Sequence, residues 1–102
     1  MEVGDNMLVV ITYDVSTSSE NGPTRLRKVA KICQNYGTRV QNSVFECILD
    51  STQLLEVKYK LMEVIDEKED SLRFYRLGEN YQKKVEHIGA KKTVNVEDTL
   101  II

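Results

Sequence analysis

Tryptophan is absent from the 102 residues, and proline and histidine occur once each. The single histidine, His87, has no second histidine or nearby cysteine to complete a tetrahedral zinc set, so it reads as a loop residue. The two cysteines, Cys33 and Cys47, form no CxxC pair and each lies inside an apolar pattern. They read as reduced, buried thiols of a cytoplasmic protein rather than as a disulfide or metal pair. No apolar run approaches the roughly 18 residues of a membrane span, so no membrane partner is expected. The opening residues MEVGDN lack the basic start and apolar core of a signal peptide, and residues 1–6 read as a short flexible leader. Glycine-rich phosphate loops and the GxSxG elbow are missing too, which removes P-loop nucleotide hydrolysis and serine-hydrolase chemistry. Nor is there an excess of positive charge, for the formal net charge is −2. Any nucleic-acid surface must therefore be local.

What remains is enough for one small domain, in which roughly two-thirds of the unfolded surface is buried and self-association is a common supplement. Met7 to Tyr13 is apolar on both alternating faces except at Thr12. That pattern predicts a central strand covered on both sides. STSSENGP is a loop, and Pro23 suits the first turn of a helix capped by Asn21 or Gly22. Leu26, Val29, Ala30 and Cys33 follow at helical spacing, and Gly37 is expected to stop the helix. TRVQNSVFECILD reads as two strands joined at QNS, with Phe45, Cys47 and Leu49 on one face and Val44, Glu46 and Ile48 on the other. Asp50 or Ser51 caps a second helix carrying Leu54, Val57 and Leu61, and DEKED ends it in water. Ser71 to Leu77 is a further strand closed by Gly78, and Thr93 to Val96 is one more short strand beyond a polar stretch.

The order β-α-β-β-α-β predicts an α+β, ferredoxin-like sandwich over residues 7–78, followed by a tail, 79–102. The tail strand has no place within a four-stranded sheet, and pairing with a second copy would satisfy its backbone. Fold alone does not assign a function here.

Asp14, at the tip of the first strand, has two readings. It caps the amides of the following loop, or it is a metal ligand. One carboxylate is thin for Mg²⁺, but a two-fold dimer with Asp14 near its axis would bring two together. Arg25, Arg27, Lys28, Lys31 and Arg39 place five cations within fifteen residues. They form either a solvated helix face or a phosphate-binding surface. Lys83, Lys84, Lys91 and Lys92 would extend the latter. Tyr13 and Phe45 read first as core residues, and SVFECI does not match the aromatic signature of an RNA-recognition domain.

Five blocks, LVVITYDVSTSS, RLRKVAKICQNYG, RVQNSVFECILD, DSLRFYRLG and KVEHIGAK, together resemble the family of CRISPR-associated protein two, the small spacer-acquisition protein. The likeness runs from Met7 to the C-terminus, and KVEHIGAK resembles the branch associated with type I-C systems. The resemblance implies a ferredoxin-like homodimer in which the last strand crosses to the partner's sheet. It implies a role in CRISPR adaptation, where two integrase dimers flank one central dimer and hold foreign DNA for insertion. It also implies a Mg²⁺- or Mn²⁺-dependent endonuclease acting on double-stranded DNA or RNA. Residue by residue, Asp14 matches the metal-binding acid and Tyr13 its neighbour. Ser43 and Phe45 match residues flanking the cleft between protomers, completing a catalytic set. Arg25, Arg27 and Arg39 match basic positions, and Lys28 and Lys31 join them as candidate nucleic-acid contacts. The loop after Asp14 is longer than in minimal members, which bears on the placement of Arg25 and Arg27. An alternative outside the resemblance is a non-catalytic ferredoxin-like ligand-sensing or RNA-binding module.

Overall fold

The computed structural model describes residues 6–16 and 18–89. Along the chain run β1 (Met7–Asp14), α1 (Gly22–Gln34), β2 (Gly37–Gln41), β3 (Val44–Leu49), α2 (Ser51–Val64) and β4 (Ser71–Gly78), then a 3-10 turn at Tyr81–Lys83. The four strands form one antiparallel sheet in the order β2-β3-β1-β4. This is the expected ferredoxin-like arrangement. The expected tail strand at 93–96, with Lys91 and Lys92, lies outside the described residues, as does nearly all of the leader.

β1 is central, and Ile11 stands between Phe45 of β3 and Phe74 of β4. Alternation decides what β1 buries. Val9, Ile11 and Tyr13 join Phe45, Cys47 and Leu49 in the core. Val29, Ala30 and Cys33 of α1 and Leu54, Val57 and Leu61 of α2 close over them. Both helices therefore cover the same face. The expectation that β1 is covered on both sides needs correction. On the second face Leu8 is buried, but Val10 and Thr12 are only half-buried and Asp14 is exposed. That face mixes Val10, Val44, Ile48 and Tyr75 with Thr12, Glu46 and Arg73, and neither helix packs on it.

Local sequence explains the element ends. Pro23 occupies the first turn of α1, but Asn21 makes no side-chain capping bond. At Gly22 a Cβ would lie 2.6 Å from the Ser16 carbonyl oxygen, so glycine lets the loop close on the helix start. The helix ends at Gln34, before Gly37. Gly37 instead opens β2, where a Cβ would stand 2.1 Å from the Glu46 carbonyl oxygen. Close approach of β2 to β3, rather than a helix stop, requires that glycine. In α2, Asp50 accepts from the Gln53 amide at 2.8 Å while its own amide donates to Gln53 Oε1 at 3.0 Å. This capping box satisfies two backbone donors at the helix start.

Candidate functional site

Asp14 is the last residue of β1 and pairs with Ser71 of β4. Its side chain belongs to the uncovered face, where a cavity of about 220 Å³ is lined by Thr12, Asp14, Ser71, Arg73 and Tyr75. Among the described residues the only ion pair joins Arg25 to Asp70, which leaves Asp14 unpaired. No group of three His, Cys, Asp or Glu side chains converges to hold a metal among those residues. One chain offers a single carboxylate with the Thr12 and Ser71 hydroxyls beside it. These are hard oxygen donors of the kind Mg²⁺ and Mn²⁺ take, but too few for a complete shell.

Beneath Asp14, on the helix side, lies a buried polar network. The Tyr13 hydroxyl donates to the Asp70 carboxylate. Arg25 grips the same carboxylate through Nε at 2.7 Å and Nη2 at 3.0 Å. Arg25 Nη2 also reaches Ser19 Oγ at 3.0 Å, tying down the loop after Asp14. The Asp66 amide donates to Asp70 Oδ2 at 3.1 Å. The Asp70 side chain is 0% exposed and that of Arg25 12%. Burial pushes the Asp70 carboxyl up, but Arg25, the Tyr13 hydroxyl and the backbone amides of Asp66 and Ser16 outweigh it and hold the group well below the usual carboxylate range. Burial, reinforced by the Asp70 acceptor, pushes the Tyr13 phenol up to about 12. The hydrogen bond to Asp70 likewise raises Arg25.

The remaining expected site residues divide into two groups. Ser43 is joined to the strand tip through the backbone, its carbonyl accepting from the Tyr13 amide at 2.9 Å, but it does not line the Asp14 cavity. Phe45 is fully buried, with the Arg39 guanidinium 5.7 Å from its ring centroid. Arg39 is turned onto the β2–β3 turn, donating to the Asn42 carbonyl from Nε at 2.9 Å and Nη2 at 2.7 Å. Arg27, Lys28 and Lys31 are exposed on α1. They stand on the helix side of the sheet, whereas Asp14 faces the other way, so a single chain does not gather them into one pocket. Lys84 Nζ donates to the Leu77 carbonyl at 2.7 Å, folding the start of the tail onto the end of β4.

Three residues escaped sequence reasoning. Asp70 was hidden as the last acid of a run read as a solvated helix end. Arg73 and Tyr75 alternate with Leu72 and Phe74 in SLRFYRL, a pattern that could have assigned them to the face opposite the core.

Fold and site together define a small ferredoxin-like α+β protein whose strand-tip carboxylate stands unpaired on an open sheet face. A family model described as CRISPR associated protein Cas2 matches residues 7–85, and the chain belongs to that family. It is 70% identical over 95 residues to the CRISPR-associated endonuclease Cas2 of Halalkalibacterium halodurans, covering 93% of this chain and 99% of the relative. It is 55% identical over 96 residues to the CRISPR-associated endoribonuclease Cas2 of Chlorobaculum tepidum, covering 94% of this chain and all of that one. The crystal structure of Streptococcus pyogenes Cas2 at pH 6.5 superposes with a TM-score of 0.74 at 53% identity, covering 81% of this chain and 100% of the other.

Proposed function

We propose that this chain is a homodimeric adaptor of CRISPR adaptation, in the type I-C branch that KVEHIGAK resembles. In this reading the dimer holds double-stranded DNA between two integrase dimers in the cytoplasm. It also carries a Mg²⁺- or Mn²⁺-dependent endonuclease activity on double-stranded DNA or RNA. The observation behind the reading is the unpaired Asp14 on an uncovered sheet face. That face exposes Ile48 (37%) and Tyr75 (44%) beside half-buried Val10 and Val44. Packing it against its own copy would bury this apolar surface and set two Asp14 side chains near one axis. Two adjacent carboxylates repel, and a divalent cation between them relieves the repulsion at neutral pH. Such a cation, when bound, stabilises charge on the scissile phosphate and acidifies water.

The chain's own residues prepare that site. Tyr13, clamped to Asp70 and bonded through its amide to Ser43, fixes the strand tip from the helix side. Phe45 fills the core beside Ile11. Arg27, Lys28 and Lys31 give a separate basic surface for the DNA backbone, whose hold should be independent of sequence and weaken steeply with salt. The relatives' names, endonuclease for one and endoribonuclease for the other, support nuclease chemistry without choosing between DNA and RNA. An RNA-recognition module has no comparable support, since the core aromatics of the two central strands, Tyr13 and Phe45, are buried and offer no stacking surface.

The test is Asp14→Ala in two assays. Metal-dependent cleavage by the purified dimer should disappear; its survival means the shared-metal site is wrong. Spacer acquisition in cells, measured alongside assembly with the integrase, separates the two roles. Acquisition that persists supports the adaptor, whereas its loss from an intact complex means a purely structural role is wrong.

A further inference from the structure

We propose that Arg73 is a phosphate-binding residue of the Asp14 site, held in place by Tyr75. The proposal rests on reading Asp14 as half of a nuclease site and adds the cation that this half lacks. Arg25 is committed to Asp70 and Arg39 to Asn42. The exposed cations of α1 stand on the other side of the sheet. Among the described cations, Arg73 is the one that lines the Asp14 cavity.

Strand register puts it there. In the antiparallel pairing of β1 with β4, Asp14 faces Ser71, Thr12 faces Arg73 and Val10 faces Tyr75. Alternation sends all of these side chains to the uncovered face. Asp14 and Arg73 are diagonal neighbours, a relation that separates residues by roughly 7–8 Å and remains within reach of long side chains. In the single chain Arg73 is exposed, and its Nη1 donates to the Tyr75 hydroxyl at 3.2 Å. Tyr75 thus fixes one end of the guanidinium. No bond engages Nε or Nη2 among the described residues, so that edge is free to donate two parallel hydrogen bonds to non-bridging phosphate oxygens. Opposite charges share one cavity here without forming an ion pair. The room between them suits a group that presents oxygens to both sides, and a phosphodiester does so. The Ser71 and Thr12 hydroxyls on the same wall can donate to it as well.

The experiment compares Arg73→Ala, Arg73→Lys and Tyr75→Phe with Asp14→Asn, each verified as a dimer by sedimentation. Duplex DNA binding is measured by fluorescence anisotropy without divalent metal across a KCl series. Arg73→Ala is expected to weaken binding about 5- to 10-fold at low salt and to reduce the log–log salt slope by about 1. Arg73→Lys should recover part of the affinity but not the bidentate fork. In Mn²⁺, Arg73→Ala should raise KM for cleavage and lower kcat. Unchanged affinity and salt slope overturn the role of Arg73 whatever Asp14 does. Dissociation of Arg73→Ala into monomers also overturns it, by assigning the residue to the interface. Wild-type cleavage by Asp14→Asn overturns the nuclease reading separately, and weakened binding by Arg73→Ala would then still support the phosphate contact.

Discussion

Replacing Asp70 with alanine removes the acceptor on which three separate elements converge. β1 sends the Tyr13 hydroxyl, α1 sends two donors from Arg25, and the turn before β4 sends the Asp66 amide. The carboxylate is fully buried, so all three elements lose one shared acceptor at once. Because the Arg25 guanidinium lies close to solvent and can be partly hydrated once freed, the loss is that of hydrogen bonds to a charged group rather than of a deeply buried charge, about 1.5–3 kcal/mol. Against a total stability of about 5–15 kcal/mol, the loss would be large. At about 4–8 °C per kcal/mol for a domain of this size, the melting temperature should fall on the order of 10 °C. Asp70→Asn keeps the shape and one acceptor and should lose less. The two variants also separate the charge by pH. Because the folded-state carboxyl is held below its ordinary value of 3.8, its stabilisation is fully present above that value and is lost as pH falls below it. Urea unfolding of wild type should therefore weaken more steeply from pH 4 towards 2 than that of Asp70→Asn. A loss under about 1 kcal/mol for Asp70→Ala at pH 7, or parallel pH profiles for wild type and Asp70→Asn, would refute the reasoning.

Tyr13→Phe should cost about 1 kcal/mol at pH 7 by deleting one hydrogen bond to Asp70. Since the phenol is raised to about 12 from 10.0, wild type should also lose stability between pH 10 and 12, where Tyr13→Phe lacks that component; chemical denaturation across that window checks both. Gly37→Ala should destabilise by on the order of 2–3 kcal/mol, because its Cβ would meet the Glu46 carbonyl at 2.1 Å; thermal melting reads the loss. Asp50→Ala should cost about 1 kcal/mol by opening the α2 capping box, measured by the same melts. Changing Arg27, Lys28 and Lys31 to glutamate should weaken duplex binding and flatten its salt dependence while leaving the melting temperature within a few degrees. Unaltered binding would remove α1 from the DNA-holding surface.

Much of the fold was legible because it is written in short periods. Alternation in VFECIL separated the buried Phe45, Cys47 and Leu49 from the opposite face, and helical spacing found Leu54, Val57 and Leu61. Topology followed from the element order. Coverage of β1 was harder to read, since an apolar strand looks the same whether its second face meets a helix or stands uncovered in one chain. Arg25 looked like its neighbours Arg27 and Lys28, yet the helix start turns it inward to a partner 45 residues away. Asp70 joins Tyr13 across 57 residues, a separation that no local pattern encodes. Asp14 was recognisable as an acid at a strand tip, but its isolation became visible only when the sheet turned it away from the basic helix.

The central claim is that Asp14 is half of a site completed by a second copy, and the stoichiometry of Mn²⁺ binding tests it most directly. Electron paramagnetic resonance titration of the purified protein should find one ion per two chains for wild type and none at that site for Asp14→Asn. One ion per chain, or binding undiminished in Asp14→Asn, would contradict a site shared across the two-fold axis.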